Sequence, residues 1–153
     1  MGMSNLDKTC FLNVDLEIYS KSDLQPLVDA MGEQVFVLFA GRVKRHYEAH
    51  IEADGSWLPM TSYMSSPESL ILRLCGVILD LPPKARKLWN AAKSRTFDVG
   101  IGAPKRKTYY WSAISAEAVR AAAEVGAQIA ITVYGPMKVA RKPKKKQLPV
   151  SLN

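Results

Sequence analysis

Two ten-residue stretches that lie ninety-four positions apart do most to limit what this chain can fold into. Gly32 to Gly41 reads Gly-Glu-Gln-Val-Phe-Val-Leu-Phe-Ala-Gly, and Gly126 to Gly135 reads Gly-Ala-Gln-Ile-Ala-Ile-Thr-Val-Tyr-Gly. In each, a glycine closes a predicted helix, a Gln follows two positions on, branched apolar residues alternate at Val35/Ile129 and Val37/Ile131, and a second glycine ends the run. Each is a helix feeding a strand. The likeness reads either as an internal βαβ repeat or as the ordinary way an αβ unit ends. Both readings demand a sheet with helices laid on it.

The rest of the chain fits that demand. Phe11 to Tyr19 alternates, with Leu12, Val14, Leu16 and Ile18 on one side and Asn13, Asp15 and Glu17 on the other, which predicts a half-buried strand. Ser22 with Gln25 three residues on predicts a capped helix to about Met31. Because Phe36 and Leu38 are apolar as well as Val35 and Val37, the strand after Gly32 is expected inside the sheet. Lys44 to Ala53 alternates again, with Tyr47, Ala49, Ile51 and Ala53 opposite His46, Glu48, His50 and Glu52.

Ser66-Pro67 opens a helix whose Leu70, Ile71, Leu74, Val77, Ile78 and Leu81 recur at helical spacing. Pro82-Pro83 ends it and starts another, with Ala85, Leu88, Trp89 and Ala92 on its apolar side. Phe97, Val99 and Ile101 alternate with Asp98 and Gly100, and Lys107 to Ile114 is expected to pair with this strand as a hairpin. Ser115 caps an alanine-rich helix ending at Gly126. The order β-α-β-β-α-α-β-β-α-β calls for an α+β fold of two layers, a mixed or mostly antiparallel sheet with helices on one face. Its first elements suit a ferredoxin-like arrangement. Residues 1–136 are expected as one domain and residues 137–153 as a basic tail.

At 153 residues the chain can bury roughly 68 to 70% of its unfolded surface, so a real core is available. The longest wholly apolar run, Val35 to Ala40, is far short of the roughly 20 residues that span a bilayer. With no leader pattern at the start, a cytoplasmic location is expected. Cys10 and Cys75 lack a partner motif and read as free thiols, so neither a disulfide framework nor a zinc site is suggested.

Charge is uneven: six cations stand against eleven acids in residues 1–83, and eight against one in residues 84–107. The tail adds six cations and no acid. Such asymmetry steers an acidic partner to one side of the molecule or favours self-association.

Three surfaces follow as candidates. The sheet face away from the helices carries Asp15, Glu17, His46, Glu48, His50, Glu52 and Asp98, with Tyr110, Thr132 and Tyr134 beside them, which suits a small ligand or a solvated face. On one strand His46 and His50 stand about 13 Å apart, too far to share a metal. The cations Lys84, Arg86, Lys87, Lys93 and Arg95, the tip Lys105, Arg106 and Lys107, and the tail's Lys144, Lys145 and Lys146 could meet nucleic-acid phosphates. Tyr109, Tyr110 and Trp111 could then stack on bases; the competing expectation puts Tyr109 and Trp111 in the core. Trp57, Met60, Tyr63 and Met64, in a Gly/Ser/Pro-rich loop, suit a protein interface or roof the core.

No G-x-S-x-G, H-E-x-x-H or phosphate-loop motif is present, and no cofactor is implied. The expectation is a non-enzymatic binding or interaction domain, with nucleic-acid binding and a small-molecule or metal site on the acidic, histidine-bearing sheet face as alternatives. The succession Ser22-Asp23-Leu24 to Gly32, Pro67-Glu68, Leu88-Trp89-Asn90, Phe97 to Ile101 and Gly126 to Tyr134 resembles a bacterial family of small α+β proteins grouped as a domain of unknown function. That resemblance covers roughly Leu12 to Tyr134. It implies an α+β fold and a bacterial source, and brings no site residues with it.

Overall fold

A computed structural model describes residues 9–53, 66–103 and 109–136. The chain runs β1 (Cys10–Ser20), α1 (Gln25–Met31), β2 (Val35–Val43), β3 (His46–Ala53), α2 (Pro67–Leu79), α3 (Pro83–Ala91), β4 (Ser94–Gly102), α4 (Ala116–Glu124) and β5 (Gln128–Tyr134). The strands form one sheet in the order β2-β3-β1-β4-β5. Its first four pair antiparallel and β5 lies parallel to β4. This is an α+β fold: β1 to β4 have the ferredoxin-like strand order, and α4 with β5 extends it at the β4 edge.

Alternation dictates the layers. Val14, Leu16 and Ile18 of β1, Ala49 and Ile51 of β3 and Phe97 and Val99 of β4 are buried with Leu27 and Met31 of α1, Ile71, Leu74 and Ile78 of α2 and Trp89 of α3. α2 follows the sequence closely: the Ser66 Oγ accepts from the Ser69 N–H, and Pro67 begins the first turn. The Ser115 Oγ caps α4 in the same way through the Ala118 N–H.

α3 and α4 are joined to the sheet by polar contacts as well as packing. The fully buried Trp89 donates its indole N–H to the Val125 carbonyl at 2.8 Å. Arg95 donates to the carbonyls of Trp89 and Asn90 at the end of α3 and of Gly126 after α4, with its guanidinium 5.7 Å from the Trp89 ring centre. The negative end of each helix dipole thus meets one cation.

Several expectations are corrected. Among the described residues β2 is an edge strand rather than an interior one, because β3 alone pairs with it; Val35 is buried, but Phe36, Val37, Leu38 and Phe39 are exposed instead of doubly covered. β4 has no hairpin partner: β1 and β5 occupy its two sides, and residues 109–115 carry no strand. Ser22 is not the cap of α1, which starts at Gln25 with Pro26 in its first turn, and the Gln25 N–H is taken by Asp23. Leu12 leaves the apolar side of β1 because the register with β4 shifts between Phe11 and Asn13, which leaves Leu12 52% exposed and turns Phe11 to the core.

The paired glycines keep their role. Gly32 ends α1 with φ 60° and ψ −146°, a backbone conformation open mainly to glycine, and Gly126 follows α4 with φ 73°. Space is not the issue, since a methyl group would meet nothing within 4 Å at Gly32 and only Arg95 at 3.8 Å from Gly126. Gly76 sits inside α2 without positive φ and with equally free space. Gly32→Ala and Gly126→Ala are each expected to cost about 1 kcal/mol, whereas Gly76→Ala should gain about 0.5 to 1 kcal/mol. Opposite-sign shifts in thermal or urea denaturation midpoints check this.

Candidate functional site: the open face of the sheet

Because the helices pack on one face, every second residue of the strands stands on the other. The register aligns these residues into rows. Glu52 of β3, Asp15 of β1 and Asp98 of β4 are direct cross-strand neighbours, as are His50, Glu17 and Thr96 in the next row. Like charges directly opposed on a sheet cost stability. Three carboxyls in one row therefore require local compensation.

Neutral groups supply it. The Asn13 amide donates to Asp15 at 3.0 Å and also to Glu52. Thr132 of β5 places its hydroxyl 2.8 Å from both oxygens of the buried Asp98. Gly100 makes room for this, since a methyl group there would meet the Asn13 side-chain oxygen at 2.8 Å and the Tyr134 ring at 3.5 Å. Asp15 is pushed up to about 6, first by burial, then by its hydrogen bond with Glu52 and by the charges of Glu52, Asp98 and Glu17.

The histidines serve the adjoining acids. Glu48 bridges them, with one oxygen on His46 and the other 3.3 Å from His50, whose second ring nitrogen lies 3.7 Å from Glu17. The His46 hydrogen bond in particular holds the Glu48 carboxyl below its ordinary range; burial opposes this and His50 adds to it. Tyr19 stacks on His46 with centroids 5.4 Å apart, and Phe39 meets the His50 ring edge-on at 6.2 Å. Phe36, Tyr19, Phe39 and Tyr134 are exposed around the acids.

The structure thus brings together Asp15, Glu17, His46, Glu48, His50 and Asp98, with Thr132 and Tyr134 beside them. Tyr110 lies on no strand. Asn13 was not singled out by the sequence, and neither was the pairing of Glu52 with Asp15; alternation places both on this face, but only the register makes them neighbours. Among the described residues no cluster of His, Cys, Asp and Glu is arranged to hold a metal ion.

The other candidates fare differently. Arg86 donates to the Leu79 carbonyl at the end of α2, and Arg95 is committed as described, so two of the expected phosphate contacts are structural. Lys84, Lys87 and Lys93 are exposed. Tyr109 and Trp111 are 88% and 70% exposed, which overturns their placement in the core. Lys105, Arg106, Lys107, the tail lysines, and the loop residues Trp57, Met60, Tyr63 and Met64 lie outside the described residues. Cys10 and Cys75 are free thiols, and burial raises Cys75 to about 11.

No family model, curated protein or solved structure matches this chain significantly. No helix among the described residues is long and apolar enough to cross a membrane.

The raised Asp15 sets a pH dependence. A carboxyl that titrates near 6 in the folded chain and near 4 in the unfolded one takes up a proton on folding, so its contribution is complete below pH 4 and lost as pH rises through about 6. The full value of that displacement is about 3 kcal/mol, which solvent screening of a half-exposed group reduces to about 1 kcal/mol. Asp15→Asn is expected to stabilise the protein near neutral pH by that smaller amount and to flatten the stability profile between pH 4 and 6. Urea titrations across that range check it.

Proposed function

We propose that the chain is a binding domain whose open sheet face receives a positively charged segment of a protein partner, rich in Lys or Arg. The supporting observation is the row Glu52, Asp15 and Asp98, three carboxyls held by the amide of Asn13 and the hydroxyl of Thr132. An ammonium or guanidinium laid along the row would relieve repulsion that the fold otherwise carries. The exposed rings of Phe36, Phe39, Tyr19 and Tyr134 suit the other half of such a ligand, packing on its aliphatic stems and attracting its cations through their faces. Binding is the reading supported, because the acids are shared among the Asn13 amide, the Thr132 hydroxyl and the two histidines.

A second reading has its own observation. Tyr109 and Trp111 are exposed and follow Lys105, Arg106 and Lys107 in the sequence after Thr108, the order of a stacking platform beside a cationic strip. That arrangement suits single-stranded nucleic acid.

One experiment separates the two. Fluorescence anisotropy of a labelled Lys/Arg-rich peptide and of a short single-stranded RNA, with the full chain across a salt series, is expected to show peptide binding that tightens as pH rises through about 6. Glu52→Gln with Asp98→Asn should weaken it at least about tenfold, or about 1.4 kcal/mol. Peptide binding untouched by those substitutions, or RNA binding lost on Trp111→Ala without peptide binding, rejects the acidic-face reading.

A further inference from the structure

We infer that β2 is the seam of a homodimer, pairing antiparallel with β2 of a second copy so that two five-stranded sheets become one. The inference rests on the edge of the sheet and stands whether or not the open face binds a basic partner.

Among the described residues, β2 leaves one side of its backbone without a strand partner. From Val35 to Gly41 it has no charge and no proline to keep the edge from pairing; its guard is the register shift between Val37 and Phe39 alone. Phe36 is 60% exposed and Leu38 50%, with Val37 and Phe39 exposed between and beside them. Both faces of the edge are apolar. On the helix side, Val37 and Leu38 line an open groove of about 670 Å³ whose other wall is Val28 and Asp29 of α1. The register shift between Val37 and Phe39 is what turns two successive residues toward it.

The flanking charges choose the occupant and its direction. Glu33 precedes the strand, and Arg42, Lys44 and Arg45 end it or follow it. A parallel neighbour of the same sequence would set like charges together. An antiparallel copy about a two-fold axis near Val37 and Leu38 brings the 3-10 turn that carries Glu33 in each chain toward the Arg42 end of the other chain's β2, twice by symmetry. The same axis places Phe36 beside Phe39 of the second copy on the open face, and each Leu38 toward the other chain's groove. β5, at the opposite edge, exposes Ile131 and Val133, and from Gly126 to Pro136, the described residues at and beside the strand, it carries no charge. Pairing of one β2 with another closes the assembly, whereas pairing β2 with β5 would propagate it.

Sedimentation of the full chain over a concentration series, with circular dichroism to confirm folding, tests this. The wild-type chain is expected to sediment as a dimer and Leu38→Lys as a folded monomer. Glu33→Arg alone and Arg42→Glu alone should each raise the dimer dissociation constant about tenfold, and the double variant should recover it, an outcome that loss of folding cannot imitate. A wild-type chain that stays monomeric overturns the inference, including one whose β2 edge takes up an added extended apolar peptide. A dimer indifferent to both charge reversals overturns it equally.

Discussion

The burial of Val14, Leu16 and Ile18 beneath the helices commits Asn13, Asp15 and Glu17 to the opposite side of the same strand. β1 lies at the centre of the sheet, paired with β3 on one side and β4 on the other, so its alternation is passed to both neighbours through the register. A slip of one residue in either pairing would exchange core and site at a stroke. The hydrophobic term, worth about 1.5 to 3 kcal/mol for each fully buried large apolar side chain, outweighs the repulsion among the acids it forces together. The acidic row is therefore a by-product of core formation as well as a surface with chemistry of its own.

Much of this was legible in the sequence where a single element carried the signal. The helices α2 and α4 are set by Ser66 and Ser115 and by apolar spacing, and the two glycines with positive φ are those that open the repeated stretches. The membership of the open face also follows from period-two alternation in β1, β3 and β4. What failed were inferences that depend on which strands meet. An apolar strand such as β2 looks the same whether it is covered on both faces or left at an edge, because hydrophobicity reports a need for burial and not its satisfaction. The strand expected after the basic tip failed for a related reason: β4 already has two partners, a fact set by the remote residues Cys10 to Tyr19 and Gln128 to Tyr134.

The site shows the same division. His46 and His50 were placed on one side of one strand, and there both rings reach the Glu48 carboxylate between them. The neighbours of Asp15 come from strands thirty-seven and eighty-three residues away, so its raised pKa has no local sequence signature. Tyr109 and Trp111 mislead in the other direction, since large aromatic residues are expected to be buried and these are not.

Arg95 has a consequence for how the molecule bears load. Its guanidinium holds the carbonyl ends of α3 and of the turn after α4, while its own backbone belongs to β4. Three segments that arrive from different parts of the chain are riveted at one point on the rim of the sheet. The α4-β5 extension is thereby tied to the four-stranded unit by a side-chain clamp as well as by the β4–β5 register. The Thr132 hydroxyl on Asp98 lies on the strand that this clamp helps to fix. A lysine, with one point charge in place of a planar fork, could not hold all three carbonyls in that geometry.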